Sequence, residues 1–517
     1  MFRNIKDTLL LVSVFVTGSA VLIVEIVAIR ILSPYYGNTI YTTSSVIGIV
    51  LAALSLGYYL GGVLSDKYPD YRFFYSIIFI SGLLVIFMHF LHIIFLPVLS
   101  ILFSIITGPL VSSIFIFFIP AFCLGMLSPF AIKLHKKPFG LAQGVEGDKV
   151  GQQSGEVFFW STIGSIAGSL LSGFVFIPYF GIDLIIIATG IFLSLWGLCG
   201  FLFFGQIKQK ALPFMIFLFL FAGFLIWPHI FKKQPNVLYE KDGVYEKIKI
   251  YDGQWNERPA RFLLQDKSNS AAMYLNSDEL AYDYTKYYEL YKLINPEATQ
   301  AFAIGGGAYS VPKALLKDSP NMQVDVVEIE PELFNLAKKY FNLENTGRLT
   351  NYIGDGRHFL NKKQKKYDII VSDVYYSFFS IPIYFTTKEF FDLAKSRLLN
   401  NGVFVGNFVG DLNPKPPSFI MSEIKTFKET FPNSYFFAVN SPTSEMPQNI
   451  IFLGINGEKQ LDFNNLGDKT LGLDPIIKNL SQKNINLKNF EFSKYERLTD
   501  NFSPVEYLVS RIILKWH

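Results

Sequence analysis

Through the first 230 positions of this 517-residue chain the hydrophobic residues neither alternate nor keep to one helical stripe; they run on in blocks. Seven blocks are long enough to cross a bilayer as helices: 8–32, 44–65, 73–96, 109–134, 157–179, 183–205 and 211–230. Residues 97–108 are apolar but short, which predicts a re-entrant or interfacial helix. The first block reads as a span rather than a cleavable signal, because it is long, holds Glu25 and Arg30, and leads directly into the second. Gly57 and Gly61, and then Gly164, Gly168 and Ser172, recur at the spacing that lets helices approach closely, so a compact bundle is expected.

From residue 237 the pattern becomes that of a folded domain. Residues 237–282 alternate, as in VYEKIKIYDG and RFLLQDKSNSAAMYL, and predict a small antiparallel sheet. Strands are then predicted at 301–306, 323–329, 350–353, 367–373 and 402–408, with helices between them at 309–317, 331–341, 355–362 and 386–399. Two further strands, near 435–439 and 449–455, complete the series. Alternating units of this kind build a parallel sheet covered by helices on both faces, with a ligand at the carboxyl ends of the strands. The expected fold class is an α-helical membrane bundle of about seven spans fused to a Rossmann-like, methyltransferase-type α/β domain that a small antiparallel β-sheet precedes. The division read from the pattern is 1–231 for the bundle, 232–285 for the β-rich subdomain, 286–460 for the nucleoside-binding domain and 461–517 for a C-terminal extension.

Composition sharpens the seam. Residues 1–231 carry 19 charged side chains, roughly 8%, while the rest of the chain carries 69, roughly 24%, a normal globular value. A net charge of +4 gives no reason to invoke nucleic acid. Cys123 and Cys199 both lie in apolar blocks, so neither a disulfide framework nor a cysteine zinc site is available, and no metal is expected. Glu25 is the rare acid at bilayer depth; a pair with Arg30 or an interhelical hydrogen bond is the leading reading, and a polar transport path the other. His89 and His92, three apart near a helix end, read as headgroup contacts rather than metal ligands. Lys and Arg collect at the N-terminus and in alternate loops (Lys67, Arg72; Lys133, Lys136, Lys137, Lys149; Lys208, Lys210), which places those loops in the cytoplasm. Seven spans would then put the C-terminal half outside, and that conflict stands at this level.

Four constellations sit at the predicted strand ends. Gly305, Gly306 and Gly307 let backbone approach a ligand where strand turns into helix. Glu328, ending the next strand about 20 residues on, can chelate both ribose hydroxyls. Asp355 and Gly356 can read an adenine edge, and Ser372-Asp373 points into the same cleft. Taken in order they predict a nucleoside site, and the lack of a spaced GxGxxG favours an S-adenosylmethionine-type ligand over a dinucleotide.

The runs AIGGGAYSVPKALL, VDVVEIEPELFNLAKKYF, YIGDGRHFL and YDIIVSDVYYS…IPIYFTTKEFF resemble spermidine synthase, a polyamine aminopropyltransferase, over about residues 237–455. The whole chain resembles the multi-pass membrane version of that family. The resemblance implies that Glu328 holds the ribose hydroxyls, that Asp355 and Gly356 bind adenine, that Asp373 is the catalytic proton acceptor, and that Pro382 lies in the gate loop. It also implies a co-substrate rather than a permanent cofactor: decarboxylated S-adenosylmethionine, or S-adenosylmethionine itself. The implied reaction is transfer of an aminopropyl group to a polyamine such as putrescine, releasing methylthioadenosine. The acid that family members carry after the three glycines is Ala308 here, the second acid that holds the diamine is Tyr376, the YHE element reads Tyr282-Asp283-Tyr284, and the early YQ reads Tyr245-Glu246. Glu246, Tyr282, Asp283 and Tyr376 are therefore the candidate acceptor-side residues, and the acceptor is an open question. Two alternatives accompany the aminopropyltransferase reading: an S-adenosylmethionine-dependent transferase acting on a lipophilic acceptor, and a non-enzymatic polyamine or nucleoside transporter or sensor. Expected partners are a small amine acceptor, the lipid bilayer and a second copy of the chain, with no nucleic acid. The expected location is the cell membrane, with the catalytic half cytoplasmic because the family's donor is cytosolic.

Overall fold

The computed structural model describes residues 5–135, 150–204, 236–374, 382–463, 466 and 470–514. It divides into two compact units, Met1–Gln234 and Pro235–His517.

Among the described residues of the first unit, six helices are long and apolar enough to cross a membrane: α1 (Ile5–Tyr36), α2 (Ile40–Lys67), α3 (Tyr71–Leu102), α4 (Thr107–His135), α5 (Gly151–Tyr179) and α6 (Ile182–Phe204). The apolar block at 211–230 lies outside the described residues. The short segment 97–108 is not a helix of its own: α3 continues through Pro97 to Leu102, and α4 begins at Thr107. An unbroken apolar run leaves backbone groups without water, so extending the helix satisfies more of them than stopping at the proline.

Small residues bring these helices together. A Cβ at Gly57 would overlap Phe122 O of α4, and one at Gly164 or Gly168 would overlap Phe15 O or Ser19 O of α1. Between α1 and α5 the close approach also admits two hydrogen bonds to backbone carbonyls, Ser19 Oγ to Gly164 O at 2.7 Å and Ser165 Oγ to Gly18 O at 3.1 Å. The α3/α6 seam follows the same rule. Gly82 sits against Ser194, Gly190 against Ile86, Gly197 against Phe79 and Gly200 against Tyr75, an antiparallel register set by backbone contact. Glu25 and Arg30 are both only partly buried on α1.

The second unit begins with a four-stranded antiparallel sheet, β1 (Val237–Asp242), β2 (Lys247–Trp255), β3 (Arg258–Gln265) and β4 (Ser268–Tyr274), paired in chain order. Asn256 and Glu257 take left-handed conformations between β2 and β3, the backbone a tight hairpin demands. β4 ends at Tyr274, and of residues 275–282 only Leu280 returns, in a single bridge to Met273, so the strand-rich stretch ends earlier than its alternation predicts. Ile248, Ile250 and Leu263 of this sheet pack on Leu333, Leu336 and Phe341.

The main sheet has seven strands: β5 (Gln300–Ile304), β6 (Gln323–Glu328), β7 (Leu349–Ile353), β8 (Tyr367–Ser372), β9 (Leu398–Gly410), β10 (Ser434–Ala438) and β11 (Gln448–Asn456). Their order is β10-β11-β9-β8-β5-β6-β7, parallel from β9 to β7, with β11 antiparallel to both β9 and β10. Helices α7 (Ser310–Asp318), α8 (Leu333–Tyr340), α9 (Gly356–Lys362), α10 (Lys388–Ser396) and α11 (Phe419–Thr430) connect the strands. The doubly covered strands read as near-continuous apolar runs for that reason; four of the five residues in β5 are buried. Beneath β9 and β11 the rings of Phe391, Phe404, Phe427, Phe436 and Phe452 meet mostly edge to face, a geometry worth about 0.5–1.5 kcal/mol per pair beyond area burial.

The C-terminal segment is part of this core. Leu498 N donates to Thr426 Oγ1, Lys388 N to Leu498 O and Ile485 N to Phe436 O, while Arg357 pairs with Asp500. Helix α12 (Val505–Leu514) buries Val505, Leu508 and Val509.

Candidate active site

The strand order reverses direction between β5 and β8, and the chain leaves β5 towards one side and β8 towards the other. That divergence opens a crevice at the strands' carboxyl ends. A cavity of 670 Å³ lies there, lined by Gly305, Gly306, Gly307, Glu328, Asp355, Gly356, Asp373 and Pro382 among others. Gly305, with φ at +87°, must be glycine on two counts: its backbone is left-handed, and a Cβ would overlap Asp373 O. The tight turn thereby sets the glycine loop directly against the end of β8.

Glu328 ends β6 and is 6% exposed. Its Oε2 accepts from Gly306 N at 2.7 Å and Gly307 N at 3.1 Å, and its Oε1 accepts from Glu330 N at 2.9 Å. Burial raises its pKa, and these backbone donors oppose the rise. The two glycine amides take both acceptor sites of Oε2, so a ligand hydroxyl meets Glu328 at Oε1 or by displacing one of those amides. Asp355 caps α9 by accepting from His358 N at 2.7 Å, which pins its carboxylate at the cavity wall. Burial and the Asp355 carboxylate push the Tyr384 hydroxyl opposite up to about 12.

Asp373 is held by a side chain from the strand that follows it. Asn407 Nδ2 donates to its Oδ1 at 3.0 Å, and Asn449 Nδ2 donates in turn to Asn407 Oδ1 at 2.9 Å. The Tyr284 hydroxyl donates to Ser270 O at 3.2 Å and borders Asp373. Burial raises the Asp373 pKa, while Asn407 and Tyr284 work against it. The result is an ionisable carboxylate oriented by β9 and β11 and bordered by the segment after β4.

Of the acceptor-side candidates, Tyr282 and Asp283 line the cavity, and Asp283 is exposed and ion-paired with Lys286 at 3.2 Å. Glu246 does not line it: the residue is buried and accepts from Gln265 Nε2, and Gln265 faces the cavity in its place. Tyr376 lies outside the described residues. Ala308 is buried in the wall. Asn407, Asn449 and Gln265 were not singled out from sequence, and Tyr284 was named only as the last position of the YHE element; the available signal was an Asn within or beside an apolar run in each of two strands, GVFVGNFVG and QNIIFLGIN.

Residues 289–465 match the spermine/spermidine synthase domain. The chain carries a spermine/spermidine synthase domain. The curated relatives agree in kind. A polyamine aminopropyltransferase of Vibrio vulnificus (strain CMCP6) is 26% identical over 179 residues, covering 34% of this chain and 60% of that protein. Polyamine aminopropyltransferase 2 of Aquifex aeolicus (strain VF5) is 24% identical over 452 residues, 84% of this chain and 86% of that one, so its similarity extends into the apolar half. Among solved structures, a probable spermidine synthase from Corynebacterium glutamicum ATCC 13032 aligns with 48% of this chain and 95% of its own, at 20% identity and a TM-score of 0.39. The synthase domain is a transferase domain, and every cavity residue named above from Gly305 to Asn449 falls inside its matched span.

Proposed function

We propose that the chain is a membrane-embedded aminopropyltransferase. Its donor is decarboxylated S-adenosylmethionine and its product methylthioadenosine. The observation that carries the reading is Asp373, held by Asn407 and bordered by Tyr284 in the same cavity as the glycine turn and Glu328. In this assignment Glu328 accepts from the two ribose hydroxyls, and Asp355 and Gly356 meet the adenine. Pro382 borders the entrance. Asp373 takes the proton that a primary ammonium must lose. The amine lone pair then attacks the carbon next to the sulfonium, that C–S bond breaks, and its electron pair returns to sulfur as a neutral thioether. The leaving group needs no acid, so positioning and deprotonation supply the acceleration.

The acceptor is a polyamine or another primary amine. Ala308 removes a carboxylate from the wall, and Trp255, Tyr282, Tyr284 and Tyr384 make the cavity strongly aromatic, which favours an acceptor with more apolar surface than putrescine. Residues 1–231 serve as the bilayer anchor, 232–285 and 286–460 form the catalytic unit, and 461–517 braces it. The catalytic unit faces the cytoplasm, where the donor is made.

The test uses the full chain in detergent, incubated with decarboxylated S-adenosylmethionine and a panel of amines running from putrescine to longer and more apolar ones. Methylthioadenosine release that requires an amine and disappears in Asp373→Asn is the expected result. Absence of release with every amine would overturn the reading, and turnover of S-adenosylmethionine instead would assign the domain to a different group transfer.

A further inference from the structure

The α3/α6 seam ends in a group of side chains that the synthase chemistry does not use. Tyr75, Phe79, Gly82 and Ile86 face α6 at steps of four and three residues, and the next position in that progression is His89. On α6 the facing positions run back from Gly200 through Gly197, Ser194 and Gly190, and the progression arrives at Asp183 in its first turn. The antiparallel packing therefore brings His89, its neighbour one turn on, His92, and Asp183 to one end of the seam. His89 Nδ1 lies 3.2 Å from Asp183 Oδ1, and His92 Nε2 lies 3.5 Å from the same oxygen. One ligand atom from each of the three lies within 4.8 Å of the others.

We propose that His89, His92 and Asp183 form a binding site for a divalent transition-metal ion of the zinc class. The distances suit it: metal–nitrogen and metal–oxygen bonds of about 2.0–2.2 Å in a tetrahedron put neighbouring ligand atoms roughly 3.3–3.5 Å apart. The donor set suits it as well, since two imidazoles and one carboxylate select zinc and its neighbours over magnesium or calcium. His89 is buried, and its Nδ1 sits within reach of the carboxylate without making a hydrogen bond, the arrangement expected of a lone pair aimed at an ion between them. Asp183 keeps 53% of its side chain exposed, which gives an ion a way in from solvent. Three protein ligands leave at least one coordination position open to water or another ligand. His89 lies 17 residues beyond Arg72, about 26 Å along the helix, close to one hydrocarbon thickness from that basic loop. The site belongs to the membrane face opposite the Lys- and Arg-rich loops. His89 and His92 are then ligands rather than the headgroup contacts that their spacing alone suggests.

The experiment takes the full chain, purified in detergent through an affinity tag without histidine, stripped with chelator, and titrated with Zn2+ against a chromogenic competitor. One Zn2+ per chain is expected, Mg2+ should not compete, and Co2+ in its place should give visible ligand-field bands. Asp183→Asn and His92→Gln should each weaken Zn2+ at least tenfold and remove those bands while eluting as wild type by size exclusion. These two are partly exposed, so they keep the test sound even where a change at buried His89 disturbs folding. A wild-type chain that binds no stoichiometric Zn2+, or a His92→Gln/Asp183→Asn double variant that binds it unchanged, would overturn the proposal and leave the group as a plain imidazole–carboxylate contact.

Discussion

Replacing Asn407 with Leu tests whether the carboxylate at the end of β8 works as a proton acceptor or merely fills space. Asn407 donates to Asp373 Oδ1 at 3.0 Å and is itself oriented by Asn449 at 2.9 Å, so Asn407→Leu removes the donor while keeping the volume of the side chain. A hydrogen bond to an ionised group contributes about 1.5–3 kcal/mol, which converts to a loss of roughly 10- to 150-fold in kcat/KM. The loss depends on pH. Asn407 favours the ionised form against the opposing effect of burial, so without it the Asp373 pKa rises further. The acid limb of the rate profile should move to higher pH, with the deficit widest at the acidic end and narrowing as pH increases. The assay is methylthioadenosine release by the full chain in detergent, followed across the pH range, with Asp373→Asn as the inactive reference. A deficit that is the same at every pH leaves the acid limb unmoved and would refute the reasoning, because Asn407 would then have no effect on the ionisation that limits the rate.

Glu328→Ala should weaken methylthioadenosine binding by about 1–3 kcal/mol, because charge-assisted bonds to the ribose are lost together with the anchor for Gly306 and Gly307; calorimetry showing wild-type affinity would reject the ribose assignment. Glu423 on α11 is fully buried, neither of its carboxylate oxygens has a hydrogen-bond partner among the described residues, and burial holds its pKa well above the ordinary value. Its folded pKa exceeds its unfolded one, so wild type loses stability as pH rises from the unfolded value through the folded one. Glu423→Gln should therefore melt later than wild type by a margin that grows with pH, and a margin independent of pH would refute the burial argument. At the α3/α6 seam, Gly82→Val must displace Ser194 backbone and should cost about 1–3 kcal/mol or more, read as a lower aggregation temperature by size exclusion after heating; an unchanged temperature would mean the two helices are free to separate. Reporter fusions at residue 236 should place the catalytic unit in the cytoplasm, and an external reporter would put the unit where the donor is scarce.

The parallel order of the synthase sheet was legible because βαβ units leave strong local marks: short apolar strands such as YDIIVS, glycine or acid at their ends, and amphipathic helices between them. Helix α11 was harder to see, since FIMSEIKTFKET has Ser, Glu and Thr on its buried side, where Ser422 and Thr426 bond the C-terminal segment. That same segment looked like an extension because its contacts, Leu498 to Thr426 and Asp500 to Arg357, join residues 72 and 143 apart, and no local pattern records them. In the apolar half the extent of the long helices was readable from hydropathy, whereas the continuation of α3 through Pro97 depended on the environment of the backbone.

Sequence alone determined the seam between an apolar and a charged half, the alternation of strand and helix, and the ordered acids Glu328, Asp355 and Asp373, because each is written in local spacing and composition. Only the tertiary structure decided what surrounds them. Asn407 and Asn449 reach Asp373 from strands added after it, Gln265 rather than Glu246 faces the cavity, and Asp183 meets His89 and His92 across a helix pair whose register is set by glycines more than 100 residues apart. Hydrogen bonds and ligand distances of a few ångströms depend on how distant segments pack, and packing is a property of the folded chain rather than of any window along it.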